Sequence, residues 1–344
     1  MSRTPRRICP LDISVKIAAG RGSAAHDAVR DALAFFRGRI ELAASRGISV
    51  RLVFVRPLNL EFAVVLQPVK RGDVMHSAFK EFEHGAWQNV VDQYDASFSR
   101  LTQQVVPAML DVLGVKPGTF ILDVACGPGY LAAAAQQMGA KARGVDFSAM
   151  MVTRALALHP AIPFDEGDAE SLENYADNSF DAVAMNFGIL HLDRPENALK
   201  AMHRLLKPGG KLAFTAWGMQ NTVAGFAIPL KAIQMFGDPG VQLPPGPPFF
   251  LYSDPGHCRE ALARCGYAAI DTKIVDQTWI FGSPDEFFEA LLHGTARTGG
   301  MLKRQPPERL QTIKANICSA ANANLENGKI VLPMPAHLVW ATKP

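Results

Sequence analysis

The chain has 344 residues, 48% hydrophobic and 19% charged, with a formal net charge of +3, and at roughly 100 to 200 residues per domain it has room for about two globular units. Nothing in it is long and apolar enough for a spanning helix, and its five cysteines lack zinc or C-x-x-C spacing, which speaks against a disulfide framework and a bound metal and for reduced thiols in a cytoplasm. The charge is uneven: residues 1–74 hold 13 Lys plus Arg against 6 Asp plus Glu, leaving −4 for residues 75–344, a poor match for nucleic acid.

Residues 1–74 are Arg-rich, with apolar stretches "VRLVFV" and "FAVVLQPV" that have no evident partners; they read as an upstream extension, with the working protein starting near Met75. "SAFKEFEHGAWQNVVDQYDASF" is a helical, aromatic-bearing lead-in. Thr102 to Leu113 then places Val105, Val106, Met109, Leu110 and Leu113 on one helix face, ended by Gly114. Strands are expected at Phe120–Ala125, Ala142–Asp146, Ile162–Glu166, Phe180–Met185 and Lys211–Trp217. Helices are expected at Tyr130–Met138, Ser148–Leu158 and Pro195–Leu206, the last with Asp193 and Glu196 spaced as a capping box. This alternation predicts a mostly parallel sheet covered by helices.

Residues 219–254 break the rhythm with one helix and the Pro-rich "LPPGPPFF", a loop longer than a compact domain needs and so a lid or substrate wall. A helix at Pro255–Cys265, a strand pair within Ala268–Phe281, two helices between Ser283 and Asn324 and a last strand near Ile330–Leu338 complete the reading. Residues 75–344 thus form one domain with a core at 115–217 and cap segments at 219–254 and 283–324.

The chemistry concentrates in "LDVACGPGY". Gly127, Gly129 and Ala132 satisfy the G-x-G-x-x-G/A pattern and Asp146 lies about where a ribose-binding acid would, so a nicotinamide-dependent oxidoreductase is one reading. Asp123 argues otherwise. At an effective dielectric of about 20, a charge pair ~4 Å apart is worth roughly 4 kcal/mol. That is repulsion beside a diphosphate and attraction beside the ammonium of an amino acid. Asp146 can accept from ribose hydroxyls, Asp168 of "GDAESL" from an exocyclic adenine amine, with the Ala169 amide toward the ring and Met151 packing on the purine. Amino acid, ribose and adenine in that order describe S-adenosylmethionine.

"ILDVACGPGYLAAAAQQMGAKARGVDFSAMM", "EGDAESL", "FDAVAMNFGILHL" and "RLLKPGGKLAFTAW" resemble the successive motifs of class I S-adenosylmethionine-dependent methyltransferases, most of all the branch that methylates small molecules, quinone precursors included. The resemblance implies a Rossmann-like, doubly wound seven-stranded sheet in the order 3-2-1-4-5-7-6, the last strand antiparallel, with helices on both faces. It implies that Asp123, Ala125, Gly127 and Gly129 bound the methionine part, Asp146 and Phe147 the ribose, and Met151, Asp168 and Ala169 the adenine. Asn186 would add backbone near the amine, and Tyr94 would fold over the cofactor. Pro128 stands where relatives usually have Thr or Ser, removing an N–H from the loop. The implied activity is methyl transfer to oxygen, nitrogen or carbon of a small apolar or planar molecule; binding of the cofactor without catalysis is the alternative. "MNFG" lacks the Asn/Asp-Pro-Pro-aromatic signature of adenine and amide methylation. His191 is the candidate base, and Phe249, Phe250, His293 and Arg297 are the candidate substrate-lining residues.

Overall fold

The computed structural model describes residues 77–344, so the extension read at 1–74 and its boundary at Met75 lie outside the described residues. Helix α1 (Ala78–Asn89) starts where Ser77 Oγ accepts the Lys80 amide at 3.1 Å. After a break at Val90 the chain runs helically to Thr102 through a π-helical turn, Tyr94–Phe98, of the kind that often marks a functional site. In α2 (Val106–Leu113) the expected face is the buried one, and Gly114 at φ 68° ends it.

Strands β1 (Phe120–Val124), β2 (Lys141–Asp146), β3 (Phe164–Glu166), β4 (Phe180–Met185) and β5 (Leu206–Trp217) alternate with α3 (Tyr130–Gln137), α4 (Ala149–Leu158) and α5 (Pro195–Leu205). Helices α6 (Ala224–Phe236) and α7 (Pro255–Arg264) lead to β6 (Ala268–Val275) and β7 (Thr278–Phe281). Helices α8 (Pro284–Gly294), α9 (Arg297–Lys303) and α10 (Pro307–Asn322) precede β8 (Leu325–Glu326), β9 (Lys329–Pro333) and β10 (Ala336–Thr342). The large sheet has the order β3-β2-β1-β4-β5-β10-β6, parallel from β3 to β5, with β10 antiparallel to both neighbours. This is the order the resemblance implies, β10 being its final strand. Both faces are buried: Ile121 of β1 enters one core, Leu122 and Val124 the other, following the strand period of two.

Four local expectations are corrected. The strands within 268–281 do not pair with each other; β6 joins β10 at the edge of the large sheet, while β7 joins a separate small sheet, β7-β9-β8. The last strand is two, because Pro333 and Pro335 cannot donate to a ladder and the chain changes sheet between them. Residues 283–324 hold three helices: the chain breaks at Thr295–Ala296, and Gly299 then lets α9 approach α8, a Cβ there meeting Leu292 O at 2.7 Å. No capping box forms, since Pro195 takes the first helical position with Arg194 before it, and Glu196 pairs with Arg264 at 2.8 Å.

Phe164 packs where side chains of Gly129 and Gly144 would stand: added Cβ atoms would meet its ring at 2.6 and 2.4 Å. Gly144→Ala is therefore expected to cost ~1–3 kcal/mol by overpacking, seen as a fall of several degrees in a thermal melt. Phe164→Leu in the same chain should recover part of it. An unshifted melting temperature would show that the ring yields freely.

Candidate active site

The sheet ends β1, β2, β4 and β5 at a cavity of about 1060 Å³ of partly open space. Its floor is the glycine loop, where the backbone accounts for nearly every donor. The Gly127 amide gives its proton to Asp146 Oδ2 at 2.9 Å, Pro128 has none, and the Gly129 amide bonds Cys126 O at 2.9 Å. The loop therefore has no free amide to offer a phosphate at these three positions. Among the described residues no Lys or Arg lines the recess beside it, which is bounded by Tyr94, Thr102, Asp123, Gly127 and Asn186 among others. Left-handed backbone at Ala125 (φ 54°) and Gly127 (φ 50°) turns the chain off β1 and exposes this recess.

Asp123 is 2% exposed, and its one hydrogen-bond partner among the described residues is the Ala132 amide at the front of α3, 3.1 Å from Oδ2. Burial pushes its carboxyl up to about 8, the amide pulls it down and the neighbouring Asp146 pushes it further up. Such a group is short of positive charge. Asp146 joins two segments, Oδ2 to the Gly127 amide and Oδ1 to the Ser148 amide, both at 2.9 Å; burial raises it to about 6 against those two bonds. Paired buried carboxyls beside an amide-poor loop suit the ammonium and ribose hydroxyls of S-adenosylmethionine, and oppose a diphosphate.

Farther along, Phe147, buried Met151, Asp168 and Ala169 line the same cavity. Asp168 Oδ1 accepts the Glu170 amide at 2.9 Å and Oδ2 pairs with Lys80 at 2.6 Å, so α1 closes this end. Tyr94 stacks on Phe98, meets Trp87 edge-on and places its hydroxyl 3.4 Å from Thr102 Oγ1; burial lifts that hydroxyl to about 12. Asn186 is fixed by Thr102 O at 2.9 Å and Thr215 Oγ1 at 2.7 Å.

The opposite end is an aromatic chamber with Phe187 stacked on Trp217, their centroids 4.0 Å apart, and Trp87, Phe226 and Phe249 around them. His191 and Arg297 enter it from two sides. The Pro-rich loop is its wall: Phe249 faces inward, and Arg297 Nη1 donates to Pro247 O at 3.1 Å. Three candidates stand apart from the cavity lining. His293 is half exposed and pairs with Glu289, Phe250 packs behind Phe249, and Gly129 serves the turn (φ 84°) and the fit against Phe164. Sequence reasoning missed Glu83, which is fully buried between His191 Nδ1 at 2.9 Å and Arg297 Nε at 2.7 Å. Burial raises its carboxyl, but His191 and Arg297 together hold it below the ordinary range. Nothing in "FKEFEHGAW" sets it apart from Glu81 except Trp87 one turn later, whose indole donates to Glu83 Oε2 at 3.2 Å.

Comparison with known proteins agrees with this chemistry. A methyltransferase-domain family matches residues 122–214, and the protein-L-isoaspartate(D-aspartate) O-methyltransferase family matches residues 59–158. A demethylmenaquinone methyltransferase of Renibacterium salmoninarum is 37% identical over 130 residues, 37% of this chain and 54% of that protein. A ubiquinone/menaquinone biosynthesis C-methyltransferase of Bdellovibrio bacteriovorus is 33% identical over 42% of this chain and 66% of its own length. A malonyl-[acyl-carrier protein] O-methyltransferase of Pseudescherichia vulneris is 32% identical over 38% and 51%. The chain spans about half the length of the first of these relatives. Residues 122–214 thus match a methyltransferase domain, and the order of the motifs and of the strands in the sheet is that of the class I S-adenosylmethionine-dependent methyltransferases.

Proposed function

We propose that this protein transfers a methyl group from S-adenosylmethionine to a small apolar or planar acceptor held in the aromatic chamber. When bound, the cofactor supplies an electrophilic methyl on a positively charged sulfur. Asp123 holds its ammonium, Asp146 its ribose, and Asp168, Ala169 and Met151 its adenine, while Tyr94 and Phe147 close over it. Carrying this reading are two adjoining recesses that share Tyr94, Ala125, Gly127 and Asn186: the one beside the glycine loop is acidic with no Lys or Arg among the described residues, and the larger one is aromatic at its far end. The rings present a flat apolar acceptor to the methyl from one direction. Alignment of this kind can supply ~7–11 kcal/mol of a bimolecular barrier. The menaquinone-directed relatives support a planar acceptor, and a small molecule rather than nucleic acid. Among the described residues no helix is long and apolar enough to cross a membrane, and four cysteines are free thiols; both suit a cytoplasmic enzyme.

Isothermal titration tests the cofactor half: S-adenosylhomocysteine is expected to bind and NAD not to, and the reverse would end this reading. Incubation with labelled methyl donor and a metabolite extract tests the other half. Label in a small apolar product is expected, whereas label nowhere would favour a cofactor-binding protein without catalysis.

A further inference from the structure

We infer that Glu83 and Arg297 are positioning residues that fix His191 as a base with Nε2 free toward the chamber, and that the acceptor consequently carries an ionisable ring hydroxyl. This rests on the methyl-transfer reading above and adds the acceptor's chemical class to it.

Glu83 reaches the chamber wall from α1 with no exposed surface, and both its oxygens are engaged. Oε2 takes His191 Nδ1 at 2.9 Å and Trp87 Nε1 at 3.2 Å; Oε1 takes Arg297 Nε at 2.7 Å. Arg297 is pinned in turn, donating to Leu190 O at 2.7 Å and Pro247 O at 3.1 Å, with its guanidinium 4.5 Å from the Phe79 ring centre. Burying an ion pair this completely is a poor way to gain stability. It is a good way to hold one geometry.

The consequence falls on His191. An ionised carboxylate only accepts, so in the neutral ring the proton sits on Nδ1 and Nε2 keeps its lone pair. That nitrogen makes no hydrogen bond among the described residues. The ring is held edge-on by Trp87 and Phe249, with centroids 4.9 and 6.4 Å away, which resists a flip that would exchange the two nitrogens. A neutral amine attacks through a lone pair it already has, whereas a ring hydroxyl attacks well only as its proton leaves. In the step, the acceptor's proton moves from oxygen to His191 Nε2 and the oxygen pair forms the bond to the methyl carbon. The carbon–sulfur bond breaks with its electrons going to sulfur. One positive charge passes from sulfonium to imidazolium, where Glu83 stabilises it.

The test compares wild type, Glu83→Gln and His191→Gln on ring hydroxyls of graded acidity and on matched aryl amines. Both variants are expected to lose ~100-fold or more in kcat on weakly acidic hydroxyls, the scale of general base catalysis, and much less on hydroxyls already ionised. KM and S-adenosylhomocysteine affinity should stay within a few-fold. An equal loss across the series would make the cluster structural and overturn the inference. So would a wild type that labels only amines, although methyl transfer would stand; a wild type that labels nothing in the series or in the extract overturns both. Nitrogen-15 NMR of the wild-type complex with S-adenosylhomocysteine needs no variant to fold: the neutral His191 ring is expected as the Nδ1–H tautomer, and a neutral ring carrying its proton on Nε2 would overturn the inference.

Discussion

Asp123→Asn is expected to make the ligand-free protein more stable in alkaline buffer while weakening its hold on S-adenosylhomocysteine. Asp123 sits at about 8 in the folded chain against an ordinary 3.8. The folded state thus keeps a proton that the unfolded chain has released. The stability this brings is complete below the ordinary value and disappears as pH rises through about 8, where the buried carboxyl must ionise without a cation. Asparagine keeps an oxygen for the Ala132 amide and never ionises, so above that pH the variant should gain ~1–3 kcal/mol over wild type, the usual cost of an uncompensated buried polar group. The same substitution removes the charge proposed to meet the ammonium, which should weaken S-adenosylhomocysteine by ~1–3 kcal/mol, roughly 5- to 150-fold. Thermal melts across pH and calorimetric titration read the two effects separately. 5′-Methylthioadenosine, which keeps the nucleoside and lacks the amino acid, is the control: its affinity should not change. Equal weakening of both ligands would mean that Asp123 acts by holding α3 rather than by meeting the ammonium.

The parallel half of the sheet was legible because its strands are largely buried on both faces and carry apolar runs broken by a single Asp, such as "FILDV" and "FDAVAM", with Gly114, Ser148 and Pro195 marking helix ends. Asp123, Asp146 and Asp168 stand at or just past strand ends beside the glycine loop, which is what let the sequence group them, whereas Tyr94 was grouped with them only by the resemblance. The acceptor chamber was not. It is assembled from α1, the loop after β4, the Pro-rich loop and the start of α9, which meet only through long-range packing. Glu83 and Arg297 lie far apart in the chain, so no local spacing announces their pair. His293 shows the converse error: helical position put it near the site, yet it faces outward to Glu289. The small sheet escaped for a similar reason, since short strands at Thr278–Phe281 and Lys329–Pro333 pair across three helices.

At Asp146 a conservative exchange should be the damaging one. Its two oxygens each accept a backbone amide, from Gly127 at the loop and from Ser148 at the cap of α4, so the carboxylate ties two walls of the cavity together besides the proposed contact with the ribose. An asparagine must turn its NH2 toward one of those amides, setting donor against donor within about 3 Å. Either the loop or the end of α4 has to move. Asp146→Asn is therefore expected to weaken S-adenosylhomocysteine and 5′-methylthioadenosine alike, by ~2–4 kcal/mol or roughly 30- to 1000-fold, combining lost charge-assisted bonds with a displaced wall. Shared loss is what separates it from Asp123→Asn, which spares the nucleoside. Asp146 also lies at about 6 in the folded chain, so its contribution to ligand-free stability is present at acidic pH and lost as pH rises through about 6; the variant's melting temperature should lack that slope. If the nucleoside bound Asp146→Asn as tightly as wild type, the ribose would have to lie elsewhere, and Asp146 would be left with only the loop to hold.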